Sequence, residues 1–499
     1  MKRRTTSRKL GLAVALVAMS AGCGSTVQLS SAGSSADGAL GLSGVTSPTG
    51  GSLQSSAIGT STGRVEPGGV TGSPTSAGTT EVPTSGQSSA VAPSAGSTER
   101  VSIPGVSATA IRVGVIAADP AADQSLESAG FGAASMGNEP EAWKAVADEV
   151  NSTGGVAGRK LNLDIFLVNL TDPPAVQGQK ACAHFTQDTT VAVVLSGYYY
   201  ASAHTCLSQK GVPALLGTNY GVDSKLARES GTVVAWATPL LDRLATLLPD
   251  AYQRLGRLKS GTAAGIFVTD APAFTRSAAR LASELTRRGV KVTTQTVTDS
   301  DTGDYSAATG DASAAVLRFR SAKVTEILFL THNAFEPTLF MQSANSQGYT
   351  PTYLLSTQQY PATLVGLVPA RQLQGALALG WAPAVDLASG YATSRAAKNC
   401  LATMKKHGRP TGSGTQTLVA LLACDGVDLL KRTARQPGAL RSRDAFQRTA
   451  LSDATGFVSS VTFRVAFAGG RRDGVAAYRP MAFSGGCTCF SYTGAVTTW

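Results

Sequence analysis

Residues 138–168 read NEPEAWKAVADEVNSTGGVAGRKLNLDIFLV, and this stretch decides the fold class. Asn138 is a helix-capping residue type, Pro140 suits a first turn, and Glu141 completes a capping-box spacing. Ala142, Val146 and Val150 then fall on one helical face. Gly154 and Gly155 end the helix, and Leu161 to Val168 follows as a run of strand length. A capped amphipathic helix feeding a strand is half of a βαβ unit. The other half lies upstream, where Ile111-Arg112-Val113-Gly114-Val115-Ile116 alternates and then runs apolar, the pattern of a buried parallel strand.

The alternation continues outward from this unit. A helix from Ala175 to Thr186 leads to strand Val191 to Leu195, then a helix carrying Cys206 and a strand from Pro213 to Leu216. It restarts at Pro239 with a helix to about Leu255. Strands at Ala264 to Val268, Val290 to Val297, Glu326 to Leu330 and Thr352 to Leu355 follow. Between them lie helices Phe274 to Arg288, Tyr305 to Ser321 and Phe335 to Gln347. Ala376 to Gly380 reads as a strand, then Tyr391 to His407, Thr415 to Thr433 and Arg443 to Ala450 as helices. Val458 to Val465 and Ala476 to Phe490 read as strands. The prediction is an α/β protein of two Rossmann-like lobes, each with its own sheet.

With 499 residues, 43% hydrophobic and 15% charged, the chain is too long for one core. Its formal charge is +11, but Lys2, Arg3, Arg4, Arg8 and Lys9 cluster at the start and no basic run follows. That distribution argues against a nucleic-acid footprint. The apolar stretch Leu10 to Met19 is far shorter than the ~20 residues that span a bilayer, so it reads as a signal-peptide core. From Gly24 to about Ser102 the chain is Ser, Gly, Thr, Ala and Pro with almost no charge, and reads as a disordered tether. A coil of about 80 such residues has a mean reach near 50 Å. Gly59-Thr60-Ser61-Thr62-Gly63 matches the nucleophile-elbow pattern but has no strand before it and no helix after it. His184, His204, His332 and His407 are dispersed, and no motif in context points to catalysis.

Ser20-Ala21-Gly22-Cys23 resembles the bacterial lipoprotein lipobox, with Ser20 where leucine is usual. That resemblance implies a signal peptide over 1–22 and diacylation of Cys23. It also implies a lipid-anchored tether over 23–104 on the outer face of the bacterial cytoplasmic membrane. Six cysteines remain, an even number that suits disulfides in an exported chain and allows 15 connectivities. The simplest pairing joins sequence neighbours, Cys182 with Cys206 and Cys400 with Cys424, leaving Cys487 and Cys489 to pair across one residue. No cluster has metal-ligand spacing and no cofactor is implied.

The run Val150-Asn151-Ser152-Thr153-Gly154-Gly155-Val156-Ala157-Gly158-Arg159-Lys160-Leu161 resembles the signature of type I periplasmic solute-binding proteins, the branched-chain amino-acid type receptors of ABC importers. Val191 to Gly197 followed by Gly211-Val212-Pro213 is similar to a further stretch of that family. So is Lys405-Lys406-His407-Gly408 with the later Ala423-Cys424-Asp425. The resemblance covers roughly 109–490. It implies lobe one from 105–238 plus 380–450 and lobe two from 239–379 plus 451–499. Crossings fall near Ala237 to Pro239, Gly375 to Trp381 and Leu451 to Gly456. It implies a small solute held between the lobes for an ABC importer permease; a ligand sensor signalling to a membrane partner is the alternative.

Ligands of open α/β sheets sit beyond the carboxyl ends of the strands. Applied here, that rule selects Asp119, Ser196, Tyr198, Tyr199, Thr218, Asn219 and Tyr220 in lobe one. In lobe two it selects Asp270, Phe274, Asn333 and Gln358. Amino-acid-binding members hold the α-ammonium with an acidic residue in lobe two, and here that position reads as the neutral Gln358. An ammonium buried against an amide lacks a charge-assisted partner, so a simple amino acid is predicted to be a poor ligand.

Overall fold

A computed structural model describes residues 102–121, 135–168, 173–198, 200–218, 221–230, 233–300, 304–467 and 470–499. The signal segment, Cys23, nearly all of the tether, Tyr199, Asn219 and Tyr220 lie outside the described residues.

The first sheet is wholly parallel, in the order β2-β1-β3-β4-β5. Its strands are β1 (Ala110–Ala118), β2 (Lys160–Val168), β3 (Val194–Ser196), β4 (Ala214–Leu216) and β5 (Val233–Ala235). Between them run α1 (Glu139–Ser152), α2 (Pro174–Ala183), α3 (Ala201–Gln209) and α4 (Ser224–Glu229); a π-helical turn, His184–Asp188, extends α2. β5 has no counterpart in the sequence reading.

The connection from α1 to β2 shows why its sequence has its form. Asn138 Oδ1 accepts from Glu141 N (3.3 Å), so half of the capping box forms. The Glu141 carboxylate instead engages Lys144 and Arg409. At the far end Asn151 grips both backbone groups of Leu161, its Nδ2 donating to the carbonyl (2.9 Å) and its Oδ1 accepting from the N–H (2.8 Å). Gly155 has φ +71°, and a Cβ there would lie 2.0 Å from Arg159 O. Only glycine fits that turn.

The second sheet is mixed, in the order β12-β11-β10-β9-β8-β6-β7, with β13 pairing β11. It is built from α5 (Leu241–Arg254), β6 (Ala263–Thr269), α6 (Pro272–Arg287), β7 (Lys291–Val297) and α7 (Tyr305–Ser321). β8 (Glu326–Leu330), α8 (Phe335–Ser346), β9 (Thr352–Ser356) and β10 (Leu377–Gly380) follow. Strands β6 to β10 are parallel to one another; β11 (Ala477–Ser484), β12 (Cys489–Tyr492) and β13 (Thr497–Thr498) add antiparallel pairings.

Between β10 and β11 the chain returns to the first sheet. There α9 (Arg395–Lys406) and α10 (Gly414–Ala434) pack on α1, followed by α11 (Arg443–Ala450). Lys406 Nζ reaches Glu149 Oε2 of α1 at 2.7 Å, and a Cβ on Gly426 of α10 would lie 3.0 Å from Trp143 and 3.1 Å from Trp236. The chain thus passes between the sheets three times. Disulfides join Cys182 to Cys206 across α2 and α3, Cys400 to Cys424 across α9 and α10, and Cys487 to Cys489 between β11 and β12.

The strand expected over Val458 to Val465 is not there; Val465 makes one isolated bridge, to Val475. The physical reason is Asp425. Its carboxylate accepts from Ser459 Oγ (2.5 Å) and Ser460 N (2.6 Å), occupying a backbone N–H that a neighbouring strand would need.

Candidate functional site

The carboxyl ends of β1, β3 and β4 form one rim. Asp119 follows β1; its N–H donates to Val168 O (3.0 Å) and its Oδ1 accepts from Ala121 N (2.9 Å), fastening the tips of β1 and β2. Ser196 closes β3, fully buried, with its hydroxyl donating to Tyr198 O (2.6 Å). Thr218, beyond β4, is buried and donates from Oγ1 to Gly197 O (2.8 Å). Ser196 and Thr218 therefore brace adjacent strand tips, and Tyr198 in the intervening turn is half-buried.

The second rim is held the same way. Asp270 follows β6; its N–H donates to Val297 O and its Oδ1 accepts from Asp299 N, both at 2.9 Å. Asn333 Oδ1 accepts from Phe335 N (2.7 Å) at the start of α8. Gln358 is buried in the turn after β9 and donates from Nε2 to Thr331 O (2.8 Å). Phe274 is buried on α6 with its ring centroid 4.5 Å from that of His332, edge to face. His332 Nε2 lies 3.1 Å from Asp299 Oδ1.

The two rims meet at Gly221. It has φ +91°, and a Cβ there would stand 3.3 Å from both Phe274 Cε2 and His332 Cε1. Beside it, Asp223 Oδ1 caps α4 by accepting from Leu226 N (2.8 Å), while Oδ2 takes Arg276 Nε of α6 at 2.7 Å. Burial raises the Asp223 carboxyl, but Arg276 and the Leu226 N–H together hold it below the ordinary carboxylate range. Ser224 adds two bonds to Asp242 Oδ1, from N (2.9 Å) and Oγ (3.0 Å).

Two buried carboxyls near the tips are missing from the sequence reading. Glu139 is the first residue of α1 and is 1% exposed; Oε2 accepts from Ala118 N (2.9 Å) and Oε1 from Trp143 Nε1 (3.2 Å). Burial pushes its carboxyl up to about 7. Glu336, in the first turn of α8, is fully buried and accepts from Ser300 Oγ at 2.6 Å. Acids in a first helical turn ordinarily face solvent and complement the helix dipole, so neither stands out in the sequence. His332 reads there only as one of four dispersed histidines. The one signal for it is its place two residues beyond the apolar run of β8.

A concavity of about 290 Å³ opens elsewhere, between α1, α9 and α10, lined among others by Val150, Cys400, Cys424 and Arg432. Val150 precedes the turn into β2, so this hollow lies toward the amino ends of the strands, away from the tips.

Residues 111–485 match a family profile described as periplasmic binding protein. No curated protein sequence matches the chain. Several solved structures share the fold. A possible leucine/isoleucine/valine-binding protein from Rhodopirellula baltica SH 1 is 12% identical, with a TM-score of 0.56 over 79% of this chain and 96% of that one. A branched chain amino acid ABC transporter protein from Thermus thermophilus with bound valine is 15% identical (TM-score 0.55, 78% and 96% covered). A solute binding protein of an ABC transporter from Rhodopseudomonas palustris BisB5, in complex with 3,4-dihydroxy benzoic acid, is 14% identical (TM-score 0.53, 78% and 97% covered).

Proposed function

Since the chain belongs to the periplasmic binding protein family, whose members are extracytoplasmic binding proteins, we propose that it captures a small solute between its two lobes and delivers it to an ABC importer permease. In this reading the protein is exported, anchored through a lipid on Cys23 and carried on its N-terminal tether, and it is a binder rather than an enzyme. The observation that carries it is the meeting of the two rims. Gly221 of the first lobe is seated against Phe274 and His332 of the second, with Asp223 paired to Arg276 alongside. A guest beyond the strand tips is enclosed where these surfaces close.

The expectation that a free amino acid is a poor ligand rests on Gln358. The Gln358 amide is bonded to Thr331 O, while a buried carboxyl group, that of Glu336, stands just beyond the tip of β8. Ligands bearing an ammonium group therefore belong in the screen beside aromatic and aliphatic acids.

The test is a thermal-shift screen of the purified chain against branched-chain amino acids, hydroxybenzoates and fatty acids. A ligand at 100 times its dissociation constant adds ~2.7 kcal/mol, a shift of a few degrees. Gly221→Trp, which wedges the rims apart, is expected to abolish the shift. A shift that survives this substitution would place the ligand elsewhere and end the reading.

A further inference from the structure

We propose that the Cys487–Cys489 disulfide is a thiol–disulfide exchange site whose reactants are low-molecular-weight thiols. The three disulfides of this chain differ in kind. Cys182–Cys206 and Cys400–Cys424 each join two helices at a sequence separation of 24, and Cys182 and Cys400 are buried. Cys487–Cys489 spans a separation of 2 at the tip of a hairpin, with Cys487 exposed and Cys489 half-buried.

Thr488 has φ +49°, the left-handed region that a β-branched side chain disfavours. Thr488 is the last residue of the four-residue turn 485–488 between the paired Ser484 and Cys489, so this φ belongs to the hairpin turn and persists when the ring opens. Exposed or strained disulfides are the ones open to exchange.

Opening would leave the hairpin in place, because strand pairing does not depend on the bond. β11 and β12 are in register from Ser484↔Cys489 to Met481↔Tyr492. Phe483 and Phe490 stack edge to face at 5.6 Å, and Tyr492 OH donates to the buried Asp386 at 2.7 Å. Gly485, Gly486 and Thr488 at the tip are exposed, so a thiol approaches without displacing the core.

The chemistry balances with two thiols. A thiolate attacks one sulfur, forming a mixed disulfide as the Cys487–Cys489 bond breaks, and the displaced cysteine takes a proton from water. A second thiolate attacks the mixed disulfide, releasing the oxidised thiol and the second cysteine. Two electrons pass from the thiols to the protein, and the reverse sequence recloses the ring.

The experiment incubates the full oxidised chain, without denaturant, in glutathione buffers of graded reduced-to-oxidised ratio, then alkylates it and maps each cysteine by peptide mass spectrometry. Cys487 and Cys489 are expected to open at a ratio at least ~100-fold below that needed for either other pair, with a glutathione adduct on their peptide alone. Opening of all three pairs together, or of Cys487–Cys489 last, would overturn the assignment.

Discussion

Asp386 makes the sharpest prediction about this fold. It lies on the second passage between the sheets, fully buried, and three donors converge on it. Thr357 Oγ1 reaches Oδ1 at 2.7 Å, while Ala382 N (3.0 Å) and Tyr492 OH (2.7 Å) reach Oδ2. Burial outweighs these donors and pushes the carboxyl up from 3.8 to about 7. The folded state therefore binds a proton near neutrality that the unfolded chain binds only near pH 4. The cost of holding this group in the fold is greatest at pH 8 and is relieved as the pH falls through 7, because the folded state then holds more protons than the unfolded one. Integrated from pH 8 to pH 5, a pKa near 7 folded and 3.8 unfolded corresponds to a gain of about 2–3 kcal/mol.

An Asp386→Asn substitution removes the titration, so the stability contributed at this position is expected to be flat across the window where the native chain gains. The assay is urea denaturation at half-unit steps from pH 5 to 8, reading the difference in slope between the two proteins rather than their absolute stabilities. Parallel pH profiles would refute the reasoning, since they would mean that Asp386 does not change protonation within the window.

Two further sets of substitutions test the fold and the closing surface. Gly155→Ala combines a left-handed φ with a Cβ 2.0 Å from a backbone oxygen, and is expected to cost about 2–4 kcal/mol in urea denaturation. Gly154→Ala, at φ +96° with open space around it, is expected to cost only the conformational part, ~1–2 kcal/mol. Arg276→Gln removes the pair to Asp223, but the Arg276 side chain is 40% exposed, so screening limits the loss to ~0.5–1 kcal/mol. Isothermal titration with whichever ligand emerges from the screen is expected to show an affinity weaker by roughly two- to fivefold at low salt, shrinking toward none at about 0.5 M salt.

The elements are legible in the sequence because their signals are local. The Asn138 cap, the Gly154-Gly155 stop and the apolar run of β1 each specify their element from neighbouring residues alone. Val458 to Val465 misleads because its pattern is strand-like while its structure depends on Asp425, more than thirty positions earlier. The site is less legible for the same reason. Polar residues at strand tips look like ligand contacts, yet Ser196, Thr218, Asn333 and Gln358 all bond to the backbone of their own rims. A strand-tip position identifies the rim; the side chain's partner is a tertiary fact. Glu139 and Glu336 are hidden by the opposite error, since a first-turn acid looks solvated until the strand it abuts is known.

The same bonding pattern constrains how the two lobes move. The three passages between the sheets are tied to one another. Trp381 Nε1 on the second donates to Ala237 O on the first at 3.1 Å. Asp473 on the third accepts from Leu240 N on the first at 2.7 Å and from Arg243 Nη1 at 3.1 Å. Ala235 N donates to Arg472 O and Gly474 N to Ala235 O, both at 2.8 Å. Segments that share hydrogen bonds are coupled, so a bend in one passage loads the other two. Each rim is braced internally, its hydroxyls and amides being bonded to neighbouring backbone. The contacts that join the two rims lie around Gly221, Phe274 and His332, in the Asp223–Arg276 pair, and in the bonds from Ser224 to Asp242 and from Leu241 N to Val222 O. Under the proposed function, selectivity among solutes follows from how far each one lets those surfaces approach, because a ligand shifts an equilibrium only by what it gains in the form it favours.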